Sequence, residues 1–455
     1  MATASAAPVS HLTLRAHVPG TVRAGIDVVG GRTVVVARSV SERHRGALSR
    51  ADGMTIAEAA HHALEERLPL VVVVSSSGAE VTEGLDALDG WGRAAAAIAA
   101  CSGTVPVLAA VTGPALSGPA LLLGLADLTV MTPEAFAFVS GPDVVEGFTG
   151  ERVSPAELGG ATMHATRSGL CALLAPDDEA VADLLGAVLA YLPDHADAPA
   201  PALLTDDPGE RLTPELGSVI PAAASASYDV RDVVRAFVDD GELLELRAAW
   251  APHMVTALAA LGGAPVGVVA NQPRSLAGTL DIAASQKAAR FVRFCDSFNL
   301  PIVTLVDTPG FLPGKDLEWR GMIRHGAELA FAYAEASVPR LCLVLRKAYG
   351  GAYIVMDSKG MGNDLCLAWP SAEIAVMGAR GAAQILARGA GDDERRLLEE
   401  RYEAELLTPW VAAERGFVDE VIDPAQTRCV LVRALRTIAS RRELLSARKH
   451  DAGPM

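Results

Sequence analysis

Two halves of this sequence repeat each other, segment by segment and in the same order. The matching pairs are residues 68–78 (LPLVVVVSSSG) with 300–310 (LPIVTLVDTPG), residues 105–118 with 338–351, and residues 133–141 with 370–378. Corresponding prolines are separated by a nearly constant offset (301 − 69 = 232, 339 − 106 = 233 and 370 − 133 = 237). A repeat of this length is far longer than the unit of a solenoid, so each half is predicted to fold as a domain.

Each half alternates short β-branched apolar runs with Ala-rich stretches of helical length, such as residues 55–67 and 283–299. This alternation predicts an α/β fold in which helices cover a mainly parallel sheet. A stretch rich in Pro, Ala and Asp at the centre of the chain is predicted to be a linker. The expected division is a flexible segment at residues 1–22, a first domain at 23–193, a linker at 194–225 and a second domain at 226–455.

The composition of the 455 residues excludes several classes of protein. Apolar residues make up 50% and charged residues 21%, which rules out disorder of the whole chain. Because 39 basic residues stand against 55 acidic ones, the formal net charge is −16, and a broad surface for nucleic acid or an anionic membrane is not expected. The sequence shows no apolar run of about 18 residues, no signal peptide and no Cys-x-x-Cys pair among its six cysteines. We therefore expect a cytoplasmic protein without a membrane segment, a metal site or disulfides.

Familiar nucleotide-binding and hydrolase motifs do not fit this sequence. Residues 309–316 (PGFLPGKD) share with a P-loop only the Gly-Lys pair, and Asp316 replaces the Ser or Thr that holds magnesium. Gly360 and Gly362 begin a dinucleotide fingerprint, but Leu365 stands at the third glycine position. The His-Glu-x-x-His motif of zinc proteases and the Gly-x-Ser-x-Gly motif of serine hydrolases are missing from the sequence.

A turn rich in small residues follows a predicted strand in each half. It reads RKAYGGAY at residues 346–353 and GPALSG at residues 113–118. Small residues at such a turn leave the first N–H groups of the next helix free, so these groups can stabilise a developing oxyanion or enolate. The glycines could instead only permit close packing of helix against sheet, and for an isolated pair that role is the more common one. Two such turns at equivalent positions favour chemistry on two carbonyl-bearing reactants.

Eight short motifs make the sequence similar to a known enzyme family. They are residues 265–273 (PVGVVANQP), 285–293 (SQKAARFVR), 307–314 (DTPGFLPG), 323–327 (IRHGA), 346–353 and 375–379 (AVMGA) in the second half, and residues 141–145 (GPDVV) and 157–161 (ELGGA) in the first. With these motifs the chain resembles the carboxyltransferase (beta) subunit of biotin-dependent acyl-CoA carboxylases, such as propionyl-CoA carboxylase. The resemblance extends from about residue 20 to the C-terminus.

The resemblance implies two tandem crotonase- or ClpP-like domains, each a superhelix of β-β-α units. It implies that the N-terminal domain holds acyl-CoA and that the C-terminal domain holds carboxybiotin. The active site would form where the N-domain of one subunit meets the C-domain of its dimer mate, within a hexamer built as a trimer of dimers. The sequence shows no Met-Lys-Met biotinylation site and no Gly-rich ATP-grasp region, so a separate biotin carboxylase/biotin carrier subunit is the expected partner.

The catalysis that the resemblance implies relies on backbone dipoles rather than on an acid–base side chain. N-carboxybiotin breaks down to CO2 and a biotin enolate, whose oxygen the Gly351 and Ala352 amides stabilise. The biotin anion then removes the α-proton of the acyl-CoA, the thioester enolate is held at Ser117 and Gly118, and the carbanion attacks the trapped CO2. The resemblance also implies substrate contacts at five further positions, which are Gly78, Ala79, Gly350, Tyr353 and Ile354.

Three departures from the family pattern fall on the acyl-CoA side. The longer N-terminal region of the family is not seen ahead of the first domain. The loop that usually reads Asp-Ser-Gly-Gly-Ala-Arg is SSSGAE at residues 75–80, with an acid where a base is usual. The usual Gly-Gly of the first turn is Ser117-Gly118, and the Cβ of a serine narrows the space and demands an ordinary φ. These changes indicate an unusual acyl substrate or carrier, or an N-domain that has lost its affinity for acyl-CoA.

Several alternatives stay open at this point. Ile354 stands where propionyl-type relatives carry Asp beside the acyl pocket, which indicates either a different acyl group or a structural role in the core. A decarboxylase could use the same amides to hold the enolate left after loss of CO2. A non-catalytic partner subunit would also fit the altered first half.

Several polar residues near the motifs are predicted to be structural. Asp307 is expected to cap a loop, and His164 and His325 are expected to pack or hydrogen-bond. Arg346 and Lys347 either face a carboxylate or phosphate or lie on the solvated surface.

Overall fold

The structure, a computed structural model, describes residues 20–41, 44–221, 223, 226–389, 391–450 and 452–454 of the chain. The chain divides between Pro199 and Ala200 into two compact units. This division falls inside the stretch predicted to be the linker. Of the predicted flexible segment, residues 1–19 lie outside the described residues, and Val22 already begins the first strand.

A seven-stranded sheet forms the centre of the first unit. Its strands are β1 Val22–Val29, β2 Arg32–Ser39, β3 Leu70–Ser76, β4 Val107–Leu116, β5 Leu128–Met131, β6 Phe136–Phe138 and β7 Leu173–Leu174. The strand order is β1-β2-β3-β4-β5-β7 with β6 beside β4; β1 and β2 pair antiparallel, and the other neighbours pair parallel. The helices of this unit are α1 Arg50–Glu66, α2 Leu85–Cys101, α3 Gly118–Leu123, α4 Pro142–Thr149, α5 Pro155–Gly159, α6 Ala161–Met163 and α7 Asp178–Leu189.

The central strands of this sheet are buried on both faces. The apolar parts of β3 (LVVVVSS) and β4 (VLAAVTGPAL) are continuous runs of Val, Leu and Ala, as expected for parallel strands that helices cover. Helix α1 begins at a capping box in which Ser49 and Asp52 each accept the other's backbone amide. Ala59, Ala60 and Ala63 of α1 are fully buried in the same hydrophobic core as β3 and β4. The small side chains of α1 therefore pack closely within the core that contains these strands.

An eight-stranded sheet forms the centre of the second unit. Its strands are β8 Leu243–Glu245, β9 Met254–Leu261, β10 Ala264–Asn271, β11 Ile302–Thr308, β12 Arg340–Tyr349, β13 Leu365–Ala368, β14 Glu373–Ala375 and β15 Glu420–Val421. The strand order is β15-β13-β12-β11-β10-β9-β8 with β14 beside β12; β8, β9 and β10 pair antiparallel, and the remaining neighbours pair parallel. The helices of this unit are α8 Val230–Phe237, α9 Ile282–Ser297, α10 Lys315–Trp319, α11 Met322–Glu335, α12 Gly350–Val355, α13 Ala379–Leu386, α14 Asp392–Tyr402, α15 Pro409–Glu414 and α16 Thr427–Ile438.

The two units repeat each other element by element. The first residues of β9, β10 and β11 follow those of β1, β2 and β3 at one offset (254 − 22 = 232, 264 − 32 = 232 and 302 − 70 = 232), and β12 follows β4 at nearly the same offset (340 − 107 = 233). The short helices α3 and α12 keep this spacing (350 − 118 = 232). Ser49 before α1 corresponds to Asp281 before α9, and each caps its helix through the side chain. The predicted duplication and the α/β class with mainly parallel sheets are therefore confirmed.

Part of the predicted linker is held against the second unit. The Thr213 amide donates to the Ala425 carbonyl at 2.8 Å, and Leu216 is buried in the hydrophobic core. The buried Arg428 guanidinium donates to the carbonyls of Asp207 and Pro208, each at 3.0 Å. Residues 207–216 therefore belong structurally to this unit.

The helices are short in comparison with the thickness of a bilayer. α1 and α2 contain 17 residues each, whereas a membrane-spanning helix needs about 20 apolar ones. Among the described residues, no helix has both the length and the apolar content required to cross a membrane.

Candidate active site

In each unit, the loop after a central strand lies beside the turn that begins a short helix. In the first unit, a Cβ added to Gly78 would lie 3.7 Å from the Ser117 Cβ, so the loop after β3 touches the turn before α3. In the second unit, a Cβ added to Gly351 would lie 3.6 Å from the Phe311 ring, so the loop after β11 touches the turn at α12. Each fold unit therefore brings together two motifs that are far apart in the sequence.

The loop of the first unit presents a free backbone amide. The Leu48 amide donates to the Gly78 carbonyl and the Glu80 amide donates to the Leu48 carbonyl, both at 2.8 Å. These bonds fix the residues on either side of Ala79. The Ala79 amide itself donates to no acceptor in the described part of the chain.

The neighbouring turn of the first unit adds a second free amide. The Ser117 amide donates to the Phe138 carbonyl at 3.0 Å, so it is already engaged in the sheet. The Gly118 amide has no acceptor among the described residues, and Pro119 has no N–H to offer. Of the predicted pair Ser117 and Gly118, the structure therefore leaves the Gly118 amide available, and Ala79 supplies the second donor.

Ser117 adopts a backbone conformation that favours glycine. Its φ is +60° and its ψ is −132°, and the corresponding residue of the second unit is Gly350, with a φ of +59°. The expectation that a serine at this position demands an ordinary φ is therefore wrong. The β4–β6 pairing and the start of α3 hold the chain in this strained conformation because they fix the residues on both sides of Ser117.

The second unit repeats the arrangement with one more donor. The amides of Phe311, Gly351 and Ala352 donate to no acceptor among residues that the structure describes. Ala352 corresponds to Pro119 (352 − 119 = 233), so the donor that the proline removes from the first turn is present in the second. In the two turns, Ser117 corresponds to Gly350 and Gly118 corresponds to Gly351. The second turn has one more amide donor than the first, because Ala352 has an N–H and Pro119 has none.

Phe311 was not predicted as a site residue. It is the repeat equivalent of Ala79 (311 − 79 = 232), and Ala79 was predicted to contact substrate. The repeat spacing of 232 residues, added to the position of Ala79, identifies Phe311 from the sequence alone. Its side chain also forms the wall against which Gly351 and Gly326 pack.

A largely apolar cavity of about 590 Å³ opens beside the second turn. Gly350, Gly351, Tyr353 and Ile354 all line it, so four of the predicted site residues of the second half converge there. Ile354 is 45% exposed in this chain, which speaks against a role in the core of the unit. The other walls are mostly aliphatic or aromatic and come from β14, α15 and the segment between α14 and α15; they include Ile374, Val376, Leu406, Val411 and Phe417.

Tyr353 contributes its ring to the cavity but directs its hydroxyl into the protein. It is 7% exposed, and the hydroxyl is close to the buried thiol of Cys366. Burial raises the pKa of Tyr353, and Cys366 adds to this effect. Tyr353 therefore presents its ring and not its hydroxyl to the cavity.

The acid in the first-unit loop is turned back onto its own chain. The Glu80 carboxylate accepts from the Thr82 hydroxyl at 2.7 Å and from the Thr82 amide at 3.2 Å. The His44 ring lies 3.6 Å from its other oxygen. Glu80 therefore caps the short turn that follows it.

The polar residues predicted to be structural are all hydrogen-bonded. The Asp307 carboxylate is 1% exposed and accepts from Arg346 and from the Lys347 amide, each at 3.1 Å. Burial raises the pKa of Asp307, while the Arg346 guanidinium opposes that rise. The His164 ring is hydrogen-bonded to the Ala137 carbonyl at 2.8 Å, and the His325 ring is hydrogen-bonded to a Glu328 oxygen at 2.9 Å. Arg346 and Lys347 were expected to face either a carboxylate or phosphate or the solvent. Arg346 faces the carboxylate of Asp307 in its own chain.

The chemistry available at both turns is that of fixed N–H dipoles. Such donors stabilise a negative oxygen most strongly where the surroundings exclude water. The cavity beside the second turn has largely apolar walls that a bound reactant would cover. The geometry therefore suits reactions that pass through an enolate or another oxyanion.

Comparison with known proteins gives the family context. The family model for the carboxyl transferase domain matches residues 5–452. The chain is 44% identical to the propionyl-CoA carboxylase beta chain of Saccharopolyspora erythraea, covering 95% of this chain and 82% of that protein. It is 39% identical to the methylmalonyl-CoA decarboxylase subunit alpha of Veillonella parvula, covering 95% of this chain and 84% of that protein.

A solved structure shows the same fold. The crystal structure of transcarboxylase 12S, which describes a hexamer assembly with hydrolysed methylmalonyl-coenzyme A bound, matches with a TM-score of 0.94 at 42% identity. The match covers 96% of this chain and 85% of that one. The predicted pair of crotonase-like domains is therefore confirmed.

Proposed function

Because the chain belongs to the carboxyl transferase domain family, we propose that it moves CO2 from carboxybiotin on a separate carrier to the α-carbon of an acyl thioester. It is accordingly a biotin-dependent carboxyltransferase of the acyl-CoA carboxylase type. The observation that carries the proposal is the pair of duplicated turns, each with free backbone amides beside a glycine loop. Reactions of this kind need two oxyanion sites, one for each carbonyl-bearing reactant.

The residues of the second unit fit a bound carboxybiotin. Gly350 has a positive φ, and a Cβ added to it would lie 3.1 Å from the Val376 carbonyl oxygen, so the turn favours a glycine. Two consecutive amides, those of Gly351 and Ala352, are free to bind one oxygen. The adjoining apolar cavity of about 590 Å³ is large enough for a small fused ring system. When bound there, carboxybiotin supplies the activated CO2.

The chain's own residues then divide the work between the units. In the second unit, the Gly351 and Ala352 amides hold a negative oxygen beside the apolar walls of the cavity. In the first unit, the Ala79 and Gly118 amides hold the enolate oxygen of the acyl thioester, which makes its α-carbon nucleophilic. Catalysis requires no side-chain base in this scheme.

The proposed active site combines the first unit of one subunit with the second unit of another. The transcarboxylase 12S core is a hexamer, and beta chains of propionyl-CoA carboxylase are among the relatives. We therefore propose a homohexamer, arranged as a trimer of dimers, that works with a biotin carboxylase/carrier subunit. Native mass spectrometry of the purified protein is expected to show six times the mass of one chain.

Ile354 indicates the class of acyl group. The resemblance places Asp at this position, beside the acyl pocket, in propionyl-type relatives, whereas this chain has an exposed aliphatic side chain there. We propose that propionyl is not the preferred acyl group. Equal or higher initial rates with acetyl-CoA or with longer acyl-CoA thioesters would support this, and a strict preference for propionyl-CoA would contradict it.

The decisive experiment is a reconstituted carboxylation assay. Purified protein is mixed with a biotin carboxylase/carrier subunit, ATP, labelled bicarbonate and a panel of acyl thioesters. We expect ATP-dependent transfer of label to at least one thioester. A Gly351→Val variant, whose side chain would press against Phe311, is expected to lose at least about tenfold in kcat because it disturbs the amide donors.

A matched glycine variant controls for folding in this assay. Gly92→Ala lies on the exposed side of α2, where an added Cβ meets nothing within 4 Å, and it is expected to keep full activity. Absence of transfer by the wild-type protein would contradict the proposed function. Full activity of Gly351→Val within an active complex would instead indicate a non-catalytic subunit.

A decarboxylase is the second candidate, and one relative favours it. The chain is 39% identical to a methylmalonyl-CoA decarboxylase subunit alpha, and the same amides can hold the enolate that remains after CO2 leaves. Carrier dependence separates the two functions. Turnover of methylmalonyl-CoA or malonyl-CoA by the purified chain without biotin would favour the decarboxylase.

A further inference from the structure

A β-bulge precedes the turn of the second unit. The register between β11 and β12 shifts between Val306 and Thr308, so Asp307 alone lies opposite residues 345–347. A bulge releases backbone groups from the ladder and redirects the strand that contains it. Shortly beyond this bulge the chain reaches Gly350 and the free amides of α12. The geometry of the bulge therefore decides where those amides point.

The Asp307 carboxylate fills the bulge. One of its oxygens accepts the Lys347 amide at 3.1 Å. The other accepts from the Arg346 Nε at 3.1 Å and from the Tyr228 hydroxyl at 2.9 Å. The Asp307 amide in turn donates to the Asn271 side chain at 3.2 Å. A single carboxylate thus ties the bulged strand to its neighbour and to the chain before α8.

The Arg346 guanidinium extends this anchor. Its Nη1 donates to the Ala226 carbonyl at 2.9 Å, and its central carbon lies 5.4 Å from the centre of the Tyr228 ring. Arg346 is 7% exposed and Asp307 is 1% exposed, so the two charges balance each other away from water. Removing one member of such a buried pair leaves the other without its partner.

The first unit contains a bulge at the equivalent place, but different residues fill it. The register between β3 and β4 shifts at the equivalent place, so Ser75 alone lies opposite residues 112–114. The corresponding residues are Ser75 for Asp307, Gly113 for Arg346 and Pro114 for Lys347 (307 − 75 = 232, 346 − 113 = 233 and 347 − 114 = 233).

These three residue differences explain why the bulge of the second unit needs a carboxylate and the bulge of the first unit does not. Pro114 has no N–H, so the first bulge leaves no amide for an acceptor at position 75. Gly113 has no side chain, and a Cβ added to it would lie 2.5 Å from the Ser75 hydroxyl oxygen, so Ser75 fills the space of the missing group. In the second unit, Lys347 presents an N–H and Arg346 presents a charge, and Asp307 accepts from both.

We propose that Asp307 is a positioning residue, which holds the bulge that aims the Gly351 and Ala352 amides at their negative oxygen. This inference rests on the proposed function, because that function assigns the two amides their role. A displacement of reacting groups by about 1 Å can lower a rate by about 100-fold, so a rigid bulge is needed.

The test transplants the bulge of the first unit into the second. Asp307→Ser alone removes the carboxylate that accepts from the Lys347 amide and from the Arg346 Nε. We expect it to lower kcat by about tenfold or more, while KM for the acyl thioester changes by less than about twofold, because the thioester is bound by the other unit. A triple variant with Asp307→Ser, Arg346→Gly and Lys347→Pro, which copies Ser75, Gly113 and Pro114, is expected to recover kcat to within about threefold of wild type.

Hydrogen–deuterium exchange tests the role of Asp307 without relying on the carboxylation assay. Hydrogen–deuterium exchange of the peptide that contains residues 346–353 is expected to speed up in Asp307→Ser and to return to the wild-type rate in the triple variant. Gly92→Ala, on the exposed side of α2 and away from both bulges, is the control and is expected to change neither kcat nor this exchange. All variants are compared as assembled protein at a temperature below the onset of thermal unfolding of each of them.

The outcomes separate the two proposals. If the wild-type protein does not carboxylate any thioester, the proposed function fails, and exchange alone then decides the role of Asp307. A folded triple variant with exchange as fast as that of Asp307→Ser would overturn the inference. So would an Asp307→Ser variant with wild-type kcat and wild-type exchange.

Discussion

At the scale of single residues, the two turns show how one position of a duplicated fold can carry different residues. Ser117 and Gly350 share a φ near +60°, which costs a residue with a Cβ about 1–3 kcal/mol relative to its preferred conformation. The sheet and the start of α3 hold Ser117 there, immediately before the free Gly118 amide. Strain of this kind is often retained at functional sites.

Replacing Ser117 by glycine is expected to stabilise the protein. Glycine removes the strain at φ +60°, and the larger entropy of the unfolded chain cancels part of the gain, so we expect the free energy of unfolding to rise by about 1 kcal/mol. The measurement is the midpoint of thermal unfolding of the variant and the wild type under the same conditions.

Ser102→Gly is the control for this prediction. Ser102 is exposed, with φ −56° and ψ 126°, so glycine relieves nothing there and is expected to lower stability by about 0.5 kcal/mol. A Ser117→Gly variant that melts as low as Ser102→Gly would show that the backbone at Ser117 is not strained.

At the scale of elements, close contact between α1 and α2 depends on glycine. A Cβ added to Gly90 of α2 would lie 2.6 Å from the Arg50 Cα, and one added to Gly53 of α1 would lie 2.1 Å from the Gly90 carbonyl oxygen. Both distances are shorter than any real contact of a Cβ. The two helices therefore approach each other through their backbones at this crossing.

Gly90→Ala is expected to destabilise the first unit by about 2 kcal/mol or more, because the added methyl group forces α1 and α2 apart. Chemical denaturation followed by circular dichroism measures the effect. Gly92→Ala, on the same helix and exposed, is expected to raise stability by about 0.5–1 kcal/mol through its higher helix propensity. Equal effects of the two variants would contradict the packing argument.

The elements also show how far sequence patterns reach. The strand-and-helix alternation and the repeat spacing predict the sheets and the positions of both turns, because apolar runs and glycines are local features. The contact between Gly53 and Gly90 joins two helices, and the sequence shows only that both positions are glycine. The bulge at Asp307 likewise depends on the register between two strands, which the strand patterns alone do not define.

At the scale of the whole molecule, the chain is two compact units that meet in sequence between Pro199 and Ala200. Near this boundary the Leu203 amide donates to the Gly263 carbonyl and the Thr205 hydroxyl donates to Asp240, but the Leu204 side chain between them is fully exposed. Beyond them, Arg428 fixes Asp207 and Pro208 to the second unit. The boundary is therefore the part of this segment that a protease can reach most easily.

Limited digestion with chymotrypsin is expected to cut first near Leu204 and to release two stable fragments, one for each unit. Mass spectrometry of the early fragments checks the position of the cut. Leu204→Asp removes the preferred side chain and is expected to slow this cut without speeding others. First cuts inside either unit, other than trimming at the exposed Leu444 near the C-terminus, would contradict the division of the chain.

The sequence by itself determined the duplication, the α/β class, the family and the positions of both turns. It could do so because these depend on local patterns and on a constant spacing between them. It also marked Gly118, Gly351 and Ala352, whose amides have no acceptor in the described part of the chain.

Only the tertiary structure decided which amides are available and what holds them. The Ser117 amide donates to a carbonyl on another strand. The free amide of Phe311 lies in the loop after β11, whereas the turn that it lies beside follows β12. The exposure of Ile354 depends on the cavity walls around it. Each of these facts rests on contacts between residues far apart in the chain. Such contacts exist only once the sheet and its helices are assembled.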